Sequence, residues 1–265
     1  MRVLAVANQK GGVGKTTTAV TLGGVLAHRG LRTLVVDTDP HGSLSAYFRL
    51  DPDGVEHSVY ELFVKADGGG LPVERMVRPA GHDNLQLLPA STAMATLDRQ
   101  LAGRDGMGLV LARSLEGLRG RYDYVIIDCP PIMGVLMVNA LAAAEFLLIP
   151  VQTEFLALKG LERMVRTLAM IAKARKNPLE FLVVPTLYDK RTRASRDALT
   201  ALRSRYGRFL WPGVVPVDTQ FREASKAAVP LNLVSPACRG ARAYQKLADT
   251  LVERLAPSEP LRSSA

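Results

Sequence analysis

Residues 9–17, Gln-Lys-Gly-Gly-Val-Gly-Lys-Thr-Thr, leave this chain few folds to choose from. An apolar run, Val3–Ala7, leads into them, and a helical pattern from Thr17 to about His28 leads out. The phosphate-loop pattern G-x-x-x-x-G-K-[ST] is met at its end by Gly14-Lys15-Thr16, while Gln9 stands where its first glycine belongs. Gly11, Gly12 and Gly14 crowd together instead, with an added lysine at position 10. Glycines let backbone N–H groups turn inward towards phosphate oxygens, and the helix start adds free N–H groups and a positive dipole end. Lys15 would then reach the β- and γ-phosphates, and the Thr16 hydroxyl would hold magnesium. A solvated surface loop is the plain alternative. A strand before, a helix after and the lysine–threonine pair favour nucleotide binding, with Gly11, Gly12, Val13, Gly14, Lys15, Thr16 and Thr17 as the contacts.

The rest of the chain alternates in kind. Leu34-Val35-Val36 reads as a buried strand ending in Asp37-Thr38-Asp39-Pro40. Residues 51–83 are polar and rich in glycine and proline, with one helical piece near Val59–Val64. Strands are expected at Leu85–Leu88, Tyr124–Asp128, Phe146–Val151, Phe181–Thr186 and Val214–Val217. Helices are expected from Ser91, as cap, to Leu101, then over Met107–Arg119, 157–175, 192–206 and 237–255. Such alternation implies the α/β class: a mainly parallel, twisted sheet covered by helices on both faces. With no internal repeat and no linker, one domain over 1–256 and a frayed tail over 257–265 are expected.

Ligands of such sheets gather at the carboxyl ends of the strands, and three stretches fall there. They are the glycine-rich loop, the Asp37/Asp39 pair and Asp128-Cys129-Pro130-Pro131. A carboxylate at the tip of Tyr124–Asp128 could hold magnesium, through water. A turn-capping aspartate is the plainer reading of Asp128. Asp37 and Asp39 are two apart and share a direction if the strand runs that far.

The variant loop Lys10-Gly-Gly-Val-Gly-Lys-Thr-Thr resembles the deviant P-loop of the ParA/MinD ATPases, which include the nitrogenase iron protein. The resemblance implies a single-domain P-loop NTPase that binds ATP and Mg2+ and dimerises on ATP, Lys10 crossing to the phosphates bound by the other subunit. Asp37-Thr-Asp-Pro-His-Gly-Ser43 is similar to the family's D-x-D-P-Q-G-N switch, departing at His41 and Ser43. On that likeness Lys10, Lys15 and Asp39 are catalytic, Asp39 orienting the attacking water, and Thr16, Asp39 and Asp128 surround the metal. Pro216 and Asp218 resemble the loop that encloses adenine. Val217 and Gln220 stand where the family often has arginine, and Thr186 and Ala228 where it often has asparagine and glycine.

Composition bears on partners. The 265 residues carry a net charge of +9, more than one phosphate site requires, and a basic face meeting nucleic acid is expected. Arg193, Arg196, Arg203, Arg222 and Lys226 are the candidate DNA contacts; Arg196 and Arg203, seven apart, share a helix face. Partition ATPases of the family use such residues to bind duplex DNA without sequence preference, and a ParB-like partner stimulates their slow turnover. The other reading is a positioning switch for a polar protein assembly, such as a chemotaxis array, acting through protein partners. Cys129 and Cys238 form no metal spacing or disulfide framework, and no signal peptide or membrane span is apparent, so a cytoplasmic protein is expected, and the resemblance to partition ATPases implies association with the nucleoid. The polar end, 257–265, lacks the basic amphipathic helix of a membrane-bound relative, and the absence of an N-terminal helix-turn-helix argues against operator-specific repression.

Overall fold

The structure, a computed structural model, describes residues 1–65, 72–101, 104, 106–172 and 178–256, with nothing stated of the side chain of residue 172. The expected tail at 257–265 lies outside the described residues, as does the expected helix end at 173–175.

The chain opens β1 (Arg2–Val6), α1 (Lys15–His28), β2 (Thr33–Asp37), α2 (Ser43–Tyr47) and α3 (Val59–Val64). It continues β3 (Arg78–His82), β4 (Leu85–Leu88), α4 (Leu97–Gln100), α5 (Val110–Glu116), β5 (Tyr124–Asp128) and α6 (Val135–Ala143). It closes β6 (Phe146–Gln152), α7 (Phe155–Ala172), β7 (Glu180–Thr186), α8 (Arg193–Tyr206), α9 (Gln220–Ala227), α10 (Leu231–Val234) and α11 (Arg239–Leu255). Among the described residues the strands form one seven-stranded sheet, in the order β3-β4-β2-β5-β1-β6-β7. Every pairing is parallel except β3 with β4.

The strands are continuous apolar runs because both faces are covered. Successive side chains point to opposite faces. Val3 and Ala5 of β1, Leu34 and Val36 of β2, and Val125 and Ile127 of β5 therefore join one core cluster, beneath α3, α5, α6 and α7. Leu4, Val6, Val35 and Ile126 join the other, beneath α1 and α11. The α/β sheet read from the alternation is the sheet observed.

Some elements differ from expectation. Among the described residues Val214–Val217 makes no ladder; it is held by the single bridge Tyr188–Pro216 and by backbone bonds from Val215 N to Pro185 O at 2.8 Å, Tyr188 N to Val215 O at 3.1 Å and Val217 N to Tyr188 O at 3.1 Å. Pro212, Gly213 and Pro216 withhold the donors and the regular backbone that a strand needs. β3, unanticipated, carries Pro79 and Gly81 with a register shift between Pro79 and His82, which an edge strand tolerates. α6 was hidden because Val-Leu-Met-Val-Asn-Ala-Leu-Ala-Ala is apolar nearly all round and shows no helical stripe. Ser91 does cap, its Oγ accepting from Ala93 N at 3.3 Å, but the first turns are a 3-10 helix before α4. Met107–Leu109 is likewise 3-10, and α5 ends at Glu116 rather than Arg119.

Candidate nucleotide site at the strand tips

The loop between β1 and α1 is braced at its base. Asn8 Nδ2 donates to Pro150 O on β6 at 2.7 Å, and Asn8 Oδ1 accepts from Lys10 N at 3.1 Å. Gly12 (φ 72°) and Gly14 (φ 90°) adopt left-handed backbone that other residues avoid, and Gly14 is the N-cap of α1. This lets the helix begin at Lys15, two residues earlier than expected. Among the described residues, chain neighbours aside, nothing lies within 4 Å of a Cβ built at Gly11, Gly12 or Gly14, so this face of the loop is open. Thr186 Oγ1 at the end of β7 donates to Val13 O at 2.8 Å and closes the far side. Thr18, one turn into α1, donates to Gly14 O at 2.7 Å and pairs with the Tyr244 hydroxyl on α11 at 2.8 Å.

Three carboxylates converge beside this loop. Asp37 ends β2 and Asp128 ends β5, and the two are partners in register. Thr16 Oγ1 donates to Asp128 Oδ2 at 2.6 Å. Asp128 Oδ1, also buried, has no hydrogen-bond partner among the described residues. Burial first, and then the charge of Asp37, pushes the Asp128 carboxyl well above the usual range. Burial also raises Asp37 to about 6, although Ser45 donates to its Oδ2 from both N and Oγ at 2.8 Å. Asp39 Oδ1 accepts from His41 N at 3.0 Å and lies 2.8 Å from His41 Nδ1. His41 itself is exposed.

The loop also carries two lysines. Lys15 is buried, and among the described residues its Nζ donates only to the Lys10 carbonyl, at 3.4 Å. Lys10, half-buried at the rim, pairs with Glu154 after β6. An orphaned buried carboxylate oxygen beside a hydroxyl, with further negative charge behind it, fits a hard divalent cation. Among the described residues no group of three or more His, Cys, Asp or Glu side chains forms a metal cage. Magnesium keeps most of its water and takes one or two protein ligands, a role open to Thr16 and Asp128. Cys129, next along, is buried with its thiol pushed far up, hence unreactive.

Pro216 and Asp218 line a cleft of about 490 Å³ with Tyr188, Arg191, Thr219 and Arg239. Asp218 also has structural duties: its two oxygens accept from Gln220 N at 3.1 Å and Gly240 N at 3.0 Å, capping α9 and α11. The five basic candidates are all exposed, Arg193, Arg196 and Arg203 on α8, Arg222 and Lys226 on α9. Arg193 pairs with Asp197 at 3.4 Å and Lys226 with Glu223 at 3.1 Å, while Arg196 Nη1 donates to Lys190 O at 2.8 Å. Sequence reasoning passed over Asn8, Ser45 and Glu154. Only the polar residue at a strand end, at position 8, carried a signal that could have been used.

The family model described as an AAA domain matches residues 1–181. The sporulation initiation inhibitor protein Soj of Bacillus subtilis is 35% identical over 248 residues, covering 93% of this chain and 96% of its own length. The chromosome partitioning protein ParA of Caulobacter vibrioides is 36% identical, covering 96% of this chain and 95% of its own length. Among solved structures, a cobyrinic acid a,c-diamide synthase from Mycobacterium smegmatis, with bound ATP analog and magnesium, superposes with a TM-score of 0.82. It is 36% identical and covers 98% of this chain and 97% of its own. The septum site-determining protein MinD of Pyrococcus horikoshii, complexed with Mg-ADP, shares the fold at a TM-score of 0.74 and 22% identity, with 96% and 97% covered.

Proposed function

The chain belongs to the ParA/MinD family of deviant Walker A P-loop ATPases, and from that membership we propose an ATP hydrolase that dimerises on ATP and positions or segregates cargo. The ATP-bound dimer binds duplex DNA without sequence preference, and a ParB-like partner stimulates slow turnover. The observation that carries the reading is the unpartnered Asp128 oxygen beside the Thr16 hydroxyl, at the mouth of an open glycine cradle with a buried lysine.

Gly11 to Thr17 hold the triphosphate through backbone N–H groups, and Lys15 neutralises its terminal oxygens. Thr16, Asp128 and Asp39 would hold magnesium, which when bound would draw charge from the phosphate oxygens. Asp39 orients a water whose oxygen bonds to the γ-phosphorus as the bond to the β,γ-bridging oxygen breaks. The products are ADP and phosphate, and the water's proton passes to solvent or to the phosphate formed. Lys10, released from Glu154, reaches across to the partner's phosphates. Pro216 and Asp218 flank the base. Positioning and charge neutralisation carry most of this chemistry.

On the DNA side Arg193, Arg196, Arg203, Arg222 and Lys226 meet phosphates, which places the protein at the nucleoid in the cytoplasm. No helix among the described residues is long and apolar enough to cross a membrane. One observation favours a second reading, a switch acting through protein partners such as those of a polar assembly. Arg193 and Lys226 are already neutralised by Asp197 and Glu223. A titration of random duplex DNA, with and without ATP at two salt concentrations, separates the two. ATP-dependent binding that weakens steeply with salt supports the first. No ATP-dependent binding at low salt selects the second.

A further inference from the structure

The short helix α2 follows Asp39 directly and is fastened at both ends. At its start Ser45 donates twice to Asp37, and Ser45 Oγ accepts from Ala90 N at 2.9 Å, tying α2 to the tips of β2 and β4. At its far end two side chains reach the C-terminus of α9. The Tyr47 hydroxyl donates to Val229 O at 2.9 Å, and Arg49 Nη2 donates to Lys226 O at 3.2 Å. Of the three non-glycine residues with positive φ among the described residues, two sit at this junction: Arg49 (φ 62°) after α2 and Ala228 (φ 58°) after α9. Both helices end alike. Leu50 N bonds back to Ser45 O at 3.0 Å and Val229 N to Ala224 O at 3.3 Å, each closing around the left-handed residue. Left-handed backbone at non-glycine residues persists only where surroundings impose it, and such residues gather at switch regions.

We infer that Tyr47 and Arg49 are positioning residues that couple the Asp37–Ser45 segment to α9, so that the state of the nucleotide site sets the placement of Arg222 and Lys226. The inference rests on the nucleotide switch proposed above; only its DNA arm rests on the nucleic-acid reading. When Asp39 and its neighbours move with the terminal phosphate, α2 pulls on two carbonyls at the end of α9. A helix of eight residues, Gln220–Ala227, moves as one piece when its last turn is drawn.

Hydrogen exchange on the full chain, with and without a non-hydrolysable ATP analogue and magnesium, tests this. In the wild type, amides of 11–18 and of 220–229 both change their exchange. In Tyr47→Phe, which keeps the ring against Phe48, and in Arg49→Asn, which tolerates left-handed backbone, the change at 11–18 stays and that at 220–229 falls at least threefold. In parallel, the ratio of duplex-DNA affinities with and without analogue falls towards unity, while nucleotide-free binding stays within twofold. An α9 response in both variants equal to the wild type's overturns the inference, as does a wild type in which only 11–18 responds. Silence at both segments removes the nucleotide reading and this coupling together. If duplex DNA binds in neither state yet the α9 response behaves as expected, the coupling stands and the DNA reading falls.

Discussion

At Asp37 a carboxylate is wholly enclosed and still accepts three hydrogen bonds, two from Ser45 and one from Asp39 N at 3.2 Å. Burial outweighs them, and the group sits at about 6 rather than near 3.8. Its folded pKa lies above its unfolded one, so its ionisation opposes folding. The penalty is complete above about pH 6 and vanishes below the unfolded value, and stability from this group rises as pH falls between them. The gap corresponds to about 2–3 kcal/mol. Asp37→Asn removes this penalty but turns its amide NH2 towards one of two donors, Ser45 N or Asp39 N, so its melting temperature relative to the wild type's, in the nucleotide-free protein, should be higher at pH 7 than at pH 4.5. A difference between variant and wild type that is independent of pH would remove Asp37 as its source. Asp39 calls for a different measurement. Asp39→Ala should bind ATP normally and turn over at least about tenfold more slowly, trapping the dimer, because water loses its guide. Undiminished phosphate release would take Asp39 out of that role. Lys15→Ala should abolish nucleotide binding, read by calorimetry, since a buried amine serves no fold purpose that its weak contact to Lys10 O explains.

Among the elements, α2 carries the most for its length. Gly42 precedes it with φ 61°, and a Cβ there would lie 2.2 Å from Pro52 Cγ. Gly42→Ala thus combines left-handed strain with a collision against a ring that cannot swing away. We expect a loss of about 1–3 kcal/mol, seen as a fall of roughly 3–10 °C in melting temperature, together with slower turnover as Asp39 shifts. A melting curve like the wild type's would show that Pro52 is free to give way. This element also marks how far the sequence could be read. Asp37, Asp39 and Asp128 were legible because strand tips in a parallel sheet have a known use. Ser45 was not, because a serine six residues after Asp39 signals nothing until the chain turns at Gly42 and brings it back. The cap at Ser91 was legible and the 3-10 turns after it were not, since the hydrogen bonds that separate 3-10 from α-helix are set by what packs on them.

For the molecule as a whole, charge and assembly are the measurable quantities. If the five basic residues meet phosphates, Arg222→Ala should weaken DNA binding without regard to sequence and lower the slope of log K against log salt by about 1. A slope unchanged by Arg222→Ala would place DNA elsewhere or nowhere. By itself the sequence determined the glycine cradle, the alternation of apolar strands with helices and the acidic tips of β2 and β5. Each of these is written in residues adjacent along the chain, where backbone geometry and periodicity act locally. Only the tertiary structure decided that Asp128 keeps one oxygen unpartnered, that Glu154 holds Lys10, and that Asp218 caps two helices beside its cleft. It also decided that α2 touches α9, across about 180 residues of chain. Contacts at such separations depend on how the two faces of the sheet are filled, and no local pattern encodes that.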